Sequence, residues 1–539
     1  MRLSHPAETS GVPLLRPEPE DGAGSRRTLI GLAVLVLVTV AIIRITSGEV
    51  MASLLPAILA LTVWALWSLP LRVSMVVLLV AAWAIEGKGD VFAAGLVVTP
   101  WASLGEVLWG KLNLVLPVSA LVFSGFDVIA LLLFAVIIRR HVQGSTIDRG
   151  EGWIPSAPPI ATFAWVSLAG IAWVAVWGLS SGGEFRFVLW QSIKWLYLPI
   201  VYALMQEALR GPQDAVLVGK AVLGVGVFRA VEAIVLRLQF PSKELMPHAT
   251  THADSVLFTT CVAILCAALM EMPSKRLAKA CGLLFPIYFW GMTANNRRLV
   301  WLELTLVLVF FFIVAPWRPL KLKATRLLIA CSLPLLLYFA VGWNSESTIF
   351  LPVSKLRSVV DSKKDLSSLW RDFENYDLVE TFRVSPLLGS GFGHPYLERV
   401  PLPSVNRAYE LEPYIPHNSV LGIWAFGGLV GFTLLWSLFP VGAFFSVRAY
   451  RYAAMPLERT AALSAAAAQI AYVLQGYGDL GFGTWGSVLT VAASYALVGK
   501  ICVANGGWGR IPPPAPSAVH DLGRTARIAQ ETSGLQHEP

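Results

Sequence analysis

Apolar stretches of about 18 to 22 residues follow one another along most of the chain, separated by short polar turns. Each is long enough to cross a bilayer, and a helix satisfies its own backbone hydrogen bonds in lipid. The pattern predicts helices near 28–45, 50–69, 71–86, 125–140, 159–180, 188–208, 214–236, 253–272, 277–294, 298–316, 324–342, 418–445, 460–476 and 483–503. The third is short, and the fragment 94–123, with Pro100-Trp101, Gly110-Lys111 and Pro117, reads as an interfacial or re-entrant piece. One interval breaks the alternation, the polar stretch 343–417. The expected fold is an all-α polytopic membrane protein with about 12–14 transmembrane helices and one large external loop before the third-last helix.

Composition agrees: 55% of 539 residues are hydrophobic and 14% charged, a balance that excludes a soluble protein. The net charge of +8 changes the picture once its distribution is read. Arg26-Arg27, Arg72, Arg139-Arg140 with Arg149, Arg210, Lys275-Arg276, Arg318-Lys321-Lys323, Arg448-Arg451 and Lys500-Arg510 fall in every second connection. The positive-inside rule then puts both termini in the cytoplasm and the 343–417 loop outside. That loop holds eight Lys and Arg against ten Asp and Glu, which is compatible with an outer placement. The expected layout is a disordered cytoplasmic tail over 1–27, transmembrane helices over 28–342, the loop over 343–417, further transmembrane helices over 418–503 and a disordered tail over 504–539. The basic residues serve topology, and no nucleic-acid partner is indicated. Cys261, Cys266, Cys281, Cys331 and Cys502 lie in or beside apolar runs without metal-ligand spacing, so no metal or other cofactor is expected.

Polar residues that lipid should forbid carry the functional signal. Asn295-Asn296-Arg297-Arg298 opens an apolar helix on the outer side, where two arginines oppose the charge trend. Guanidinium forks suit bidentate phosphate binding, while snorkelling to headgroups or pairing with Glu303 is the plainer reading. Gly182-Gly183-Glu184-Phe185-Arg186 precedes a helix with Gln191 and Lys194. Arg229 and Glu232 share a helix face, as an internal ion pair or a functional one. His252-Ala253-Asp254-Ser255 starts another helix, with Asp254 or Ser255 as N-cap. Gln475-Gly476-Tyr477-Gly478-Asp479 ends the penultimate one.

Within the loop, Trp370-Arg371-Asp372-Phe373-Glu374-Asn375-Tyr376 precedes Arg383 and then Pro386-Leu387-Leu388-Gly389-Ser390-Gly391-Phe392-Gly393. The glycines allow either a tight turn or backbone N–H groups that approach an anion. The loop ends in Pro416-His417-Asn418 at the edge of the next helix. Asn418 stands at an N-cap position, and a neutral imidazole at residue 417 suits proton abstraction from a hydroxyl near neutral pH. By charge bias, His417, Arg297, Arg298, Arg371, Arg383, Lys194, Arg186 and Asp479 all lie on one side of the membrane.

With these residues in view, the chain resembles the superfamily of bacterial O-antigen ligases and O-antigen polymerases. The resemblance rests on His417-Asn418 followed by Gly428 and Gly431, on Asn296-Arg297 upstream, and on Arg383 with Pro386 to Gly393; it spans roughly 160–500. It departs from the commoner pattern in having Arg298 where a small residue usually follows the arginine. The resemblance implies metal-independent, inverting transfer of an undecaprenyl-diphosphate-linked glycan to an acceptor hydroxyl at the outer face. Catalytic roles fall to His417 and Arg297, and substrate binding to Arg298, Arg371, Arg383, Asn418, Lys194, Arg186 and Asp479. Which of Arg297 and Arg298, and which of Arg371 and Arg383, meets the diphosphate stays open in the sequence. Partners so implied are the lipid-linked donor, a glycan or glycolipid acceptor, the bilayer and other membrane proteins of polysaccharide biosynthesis. Polymerase and ligase differ only in acceptor. A transporter or flippase of lipid-linked glycans is the reading from another class, in which the charged residues mark a translocation path.

Overall fold

The computed structural model describes residues 22–45, 50–85, 101–114, 123–145, 147–149, 152–242, 246–316, 319–345, 347–350, 353, 357, 366–401, 412–479 and 481–509. Most of both predicted tails, including Arg510, lies outside the described residues, as does Arg318. Seventeen α-helices and no strand occur among those described. In chain order they are α1 (Gly22–Ile45), α2 (Val50–Ser68), α3 (Leu71–Ala84), α4 (Ala102–Trp109), α5 (Gly125–Val142), α6 (Pro158–Ser180), α7 (Phe185–Ala208), α8 (Asp214–Gln239) and α9 (Asp254–Glu271). There follow α10 (Lys275–Asn295), α11 (Leu299–Val314), α12 (Pro319–Gly342), α13 (Leu366–Val384), α14 (Ser419–Trp436), α15 (Leu438–Tyr452), α16 (Pro456–Gly478) and α17 (Trp485–Ala504).

The protein is an all-α polytopic membrane protein. Among the described residues, seven segments are long and apolar enough to cross a membrane: α6, α7, α9, α10, residues 321–342 of α12, the continuous α14–α15 unit and α17. Four shorter apolar helices lie within α1, α2, α3 and α11. The other predicted spans, α5, α8 and α16, form as helices but carry more charge or more alanine. The fragment expected near 94–123 contains the short α4 and a 3-10 turn at Leu112–Leu114.

The core is built on α9, α16 and α17, which bury most of their circumference. In α16 this follows from its alanine run, Ala465 to Ala468, which lets α9, α15 and α17 come close. In α8, Arg229 is wholly buried, with Nε and Nη2 on the two carboxylate oxygens of Asp254 at 3.0 and 2.5 Å. Its Nη1 meets Glu232 at 2.6 Å. The internal ion pair expected of Arg229 and Glu232 is therefore present, with Asp254 as a further partner. Asp254 is not the N-cap of α9; Ala253 is, without a side-chain bond, because the Asp254 carboxylate has turned to the guanidinium.

Two groups of connections come together, one of them bearing basic residues. At one, Arg140 meets Asp148 at 2.7 Å, Arg72 meets Asp214 at 3.0 Å, Arg149 meets Glu207 at 2.7 Å and Arg459 meets Glu271 at 2.8 Å. At the other, α13 meets the residues before α14 and α17 through Asn375–Asn418 and Arg371–Asp479, and His252 before α9 reaches the same Asp479.

The α14–α15 unit breaks where the motif glycine falls. Gly428 has φ 56° and ψ −162°, a region open in practice to glycine alone. The freed backbone is paired by the 386–393 segment: Leu429 N–H donates to Pro386 O at 2.9 Å and Val430 N–H to Leu387 O at 3.1 Å. Gly391 N–H donates back to Phe426 O at 2.8 Å. A β-carbon at residue 428 would meet the backbone of Gly389 and Leu387. Gly428→Ala is expected to destabilise the protein by more than about 2 kcal/mol. The measurement is a lower Tm of the detergent-solubilised protein, read beside Gly282→Ala as a control, where the added carbon meets nothing.

Candidate active site

Helix α13 supplies the frame. Trp370, Arg371, Glu374, Asn375 and Leu378 recur at helical spacing, so one face of α13 looks toward the start of α14. Asn375 Oδ1 accepts from Asn418 Nδ2 at 2.9 Å, and Asn418 Oδ1 caps α14 by accepting from Leu421 N–H at 3.0 Å. Both ends of the Asn418 amide are thus engaged in joining the loop helix to the membrane helix.

That junction fixes His417. Its backbone N–H donates to Glu374 Oε1 at 3.0 Å, and its Nδ1 lies 3.4 Å from the same oxygen. The Trp370 ring stands edge-on to the imidazole with centroids 4.4 Å apart. Glu374 is wholly buried while the His417 side chain keeps 29% of its surface open. A carboxylate on Nδ1 favours the tautomer with Nδ1–H, which leaves the Nε2 lone pair for a proton from outside.

Beside this pair lies Asp479, in extended backbone just past α16. His252 Nδ1 contacts Asp479 Oδ2, and Arg371 Nη2 approaches the same oxygen at 3.5 Å. Burial alone would raise the Asp479 carboxyl, but the His252 hydrogen bond and the positive field of the Arg371 guanidinium hold it well below the usual carboxylate range. Arg297 completes the group from the α10–α11 turn. Desolvation lowers its guanidinium to about 10, against the field of Asp479. Its Nε is buried with no hydrogen-bond partner among the described residues.

The loop before α9 is clamped onto that turn. Asn295 Oδ1 accepts from Thr250 N–H at 2.9 Å, and Asn296 Nδ2 donates to Pro247 O at 3.1 Å. Asn296 takes a left-handed conformation, φ 57°, which asparagine tolerates better than most residues. Arg237, at the end of α8, donates to Ala294 O at 3.0 Å and Met246 O at 2.8 Å. The adjacent asparagines therefore hold the arginine turn and the histidine loop together.

The structure brings His417, Arg297, Arg371 and Asp479 into one electrostatic group, with Lys194 of α7 within reach of Asp479. Lys194 also lines a cavity of about 30 Å³ behind Pro416 and Ser419, with Gln191, Tyr414, Phe426 and Phe482. Arg298 is the N-cap residue of α11, beside Arg297. Arg383 lies apart, paired with Glu380 at 2.5 Å and largely exposed. Arg186 begins α7 over the Phe187 ring, in the field of Lys111. Glu303 pairs with neither arginine; it accepts from Thr259 Oγ1 at 3.1 Å deep in the bundle.

The glycine-rich turn is not an open anion nest. Its N–H groups are taken by protein: Ser390 by Ala425 O at 3.2 Å, Gly391 by Phe426 O at 2.8 Å, Phe392 by Val174 O at 3.2 Å, and Gly393 by Gln191 Oε1. Sequence reasoning did not single out Glu374, His248 or His252 as site residues. A hint existed for Glu374, since it follows Arg371 by three and Trp370 by four in a helical pattern.

Comparison with known families gives a match over residues 281–436, to the family model described as O-antigen ligase. The match runs from α10 through the arginine turn, the loop helix and His417 to the end of α14, so it covers most of the site just described. No curated protein matches the chain.

Proposed function

We propose that this chain, which carries an O-antigen ligase family domain, transfers a glycan from an undecaprenyl-diphosphate carrier to an acceptor hydroxyl at the outer face of the cytoplasmic membrane. The observation that supports this most is the Glu374–His417 pair standing beside the Arg371, Arg297 and Asp479 group. An acceptor hydroxyl at His417 Nε2 gives up its proton as its oxygen attacks the anomeric carbon from the side opposite the diphosphate. The leaving diphosphate takes on negative charge, and the guanidiniums of Arg297 and Arg371 stabilise it. Glu374 holds the imidazole in the required tautomer and steadies the imidazolium formed. Asp479 keeps the neighbouring cations from dispersing into solvent and sets where they point.

The basic connections that come together support an outward-facing site and cytoplasmic termini, and α13 with its flanks supports an extracytoplasmic loop. Arg371 is the loop arginine that the geometry favours as a diphosphate ligand, because Arg383 is engaged by Glu380.

The direct test gives purified protein an undecaprenyl-diphospho-oligosaccharide with either a second lipid-linked repeat or a core glycolipid as acceptor. Release of undecaprenyl diphosphate with a longer glycan is the expected result, and the acceptor that supports it separates polymerase from ligase. Intact donor in every reaction would refute the reading. Glu374→Gln is expected to lower kcat by about 10- to 100-fold, part of the roughly 10²- to 10⁴-fold that a positioned base supplies. KM for the donor should change little, since Glu374 is buried behind the histidine.

A further inference from the structure

His252 has no part in the reaction just described, yet it sits where the anionic headgroup of the donor is placed. Its Nδ1 is on Asp479, and its side chain keeps 44% of its surface open, so a ligand can reach the ring. The charged and titratable groups that face it are Asp479 from the end of α16, Arg297 from the α10–α11 turn, Arg371 from α13, and His248 from its own loop, with ring centroids 6.2 Å apart. Lys194 and His417 also lie near enough to Asp479 to interact with it.

We propose that His252, seated on Asp479 within the fields of Arg297 and Arg371, is a proton-acquiring ligand for the donor's diphosphate: neutral in the empty site, imidazolium once the anion is bound. The inference rests on the reading of the site as one for a lipid-diphosphate glycan. Its logic is electrostatic. Desolvation, then the repulsion of Arg297 and Arg371, lowers the His252 imidazole despite its hydrogen bond with Asp479. His248 is lowered further, to about 3, first by burial and then by Arg297 and His252. An arriving diphosphate reverses the sign of the local field by neutralising both guanidiniums. The imidazole then gains a proton, with Nδ1–H on Asp479 and Nε2–H free to donate to a phosphate oxygen. Because the bound state holds more protons than the empty one, affinity must rise as pH falls.

The test uses the full chain in nanodiscs and a short-chain polyprenyl-diphospho-N-acetylglucosamine. This probe is a diphosphate diester that does not titrate near neutrality, so any proton taken up goes to the protein. Calorimetric titrations in two buffers of different ionisation enthalpy count the protons bound. Wild-type protein should take up a proton on binding, and affinity should weaken from about pH 6 to about pH 8. His252→Gln keeps a donor toward Asp479; it should abolish the uptake and weaken binding by about tenfold, the loss of one charge-assisted hydrogen bond. His417→Gln should lose transfer yet keep the uptake. Binding without proton exchange in wild type, or an undiminished uptake in His252→Gln, overturns this inference and leaves the glycosyltransferase reading standing. Failure of the wild type to bind the probe overturns both. The wild-type pH series decides the matter even where the variant does not fold.

Discussion

His417→Ala is expected to lower the transfer rate by about 10²- to 10⁴-fold, the range that a positioned general base contributes. The structure makes this a clean experiment. The backbone N–H of residue 417 still donates to Glu374, so the junction of α13 and α14 survives the truncation. Donor affinity should hold, because the cations proposed to face the diphosphate come from other elements. Single-turnover kinetics with a lipid-linked donor would separate the two effects. A His417→Ala protein that turns over at the wild-type rate would remove the base assignment and, with it, the role given to Glu374.

Arg229→Ala should cost about 3–5 kcal/mol of stability, the usual result of stranding buried charge. Here two carboxylates, Asp254 and Glu232, lose their cation at once. The damage should also reach the site. Asp254 begins α9 directly after the loop that carries His248 and His252, and the guanidinium fixes where that helix starts. Thermal unfolding in detergent reads the first effect, and donor binding at a temperature where the variant is still folded reads the second. A paired replacement, Arg229→Met with Asp254→Asn, removes the more deeply buried of the two stranded charges and should recover part of the stability. Equal destabilisation in the single and paired variants would show that packing volume, and not charge, governs this position.

The helices were legible because lipid leaves the backbone no other way to satisfy its polar groups, and each predicted span has a helix at its place. The 418–445 span shows what a hydropathy pattern misses. It forms one continuous apolar unit, Ser419–Tyr452, but Gly428 interrupts it, and only the stretch of chain at Pro386 explains how. In the candidate site, charge in the wrong place was a usable signal for Arg297 and Asp479. His252 gave no such signal: beside Asp254 it read as part of a helix start. Its meaning arises from Asp479, more than two hundred positions away, and no local pattern links the two. Glu374 was hidden for the opposite reason, since a loop rich in acids offers no ground for choosing one of them. Arg371 and Arg383 were equivalent in sequence and differ in space, one near Asp479 and the other turned to Glu380.

The break at Gly428 has a mechanical consequence. Most residues on a membrane helix rise and sink with it as bilayer thickness changes or the helix tilts. The start of α14 is instead held by α13, and the 386–393 segment bonds both sides of the break, Ala425 and Phe426 before it and Leu429 and Val430 after it. His417 is therefore levelled by α13 and by the 386–393 segment that clasps the break at Gly428. Its height above the arginines should stay constant in thin and thick membranes alike, so that turnover follows the chemistry of the headgroups more closely than the length of the lipid tails.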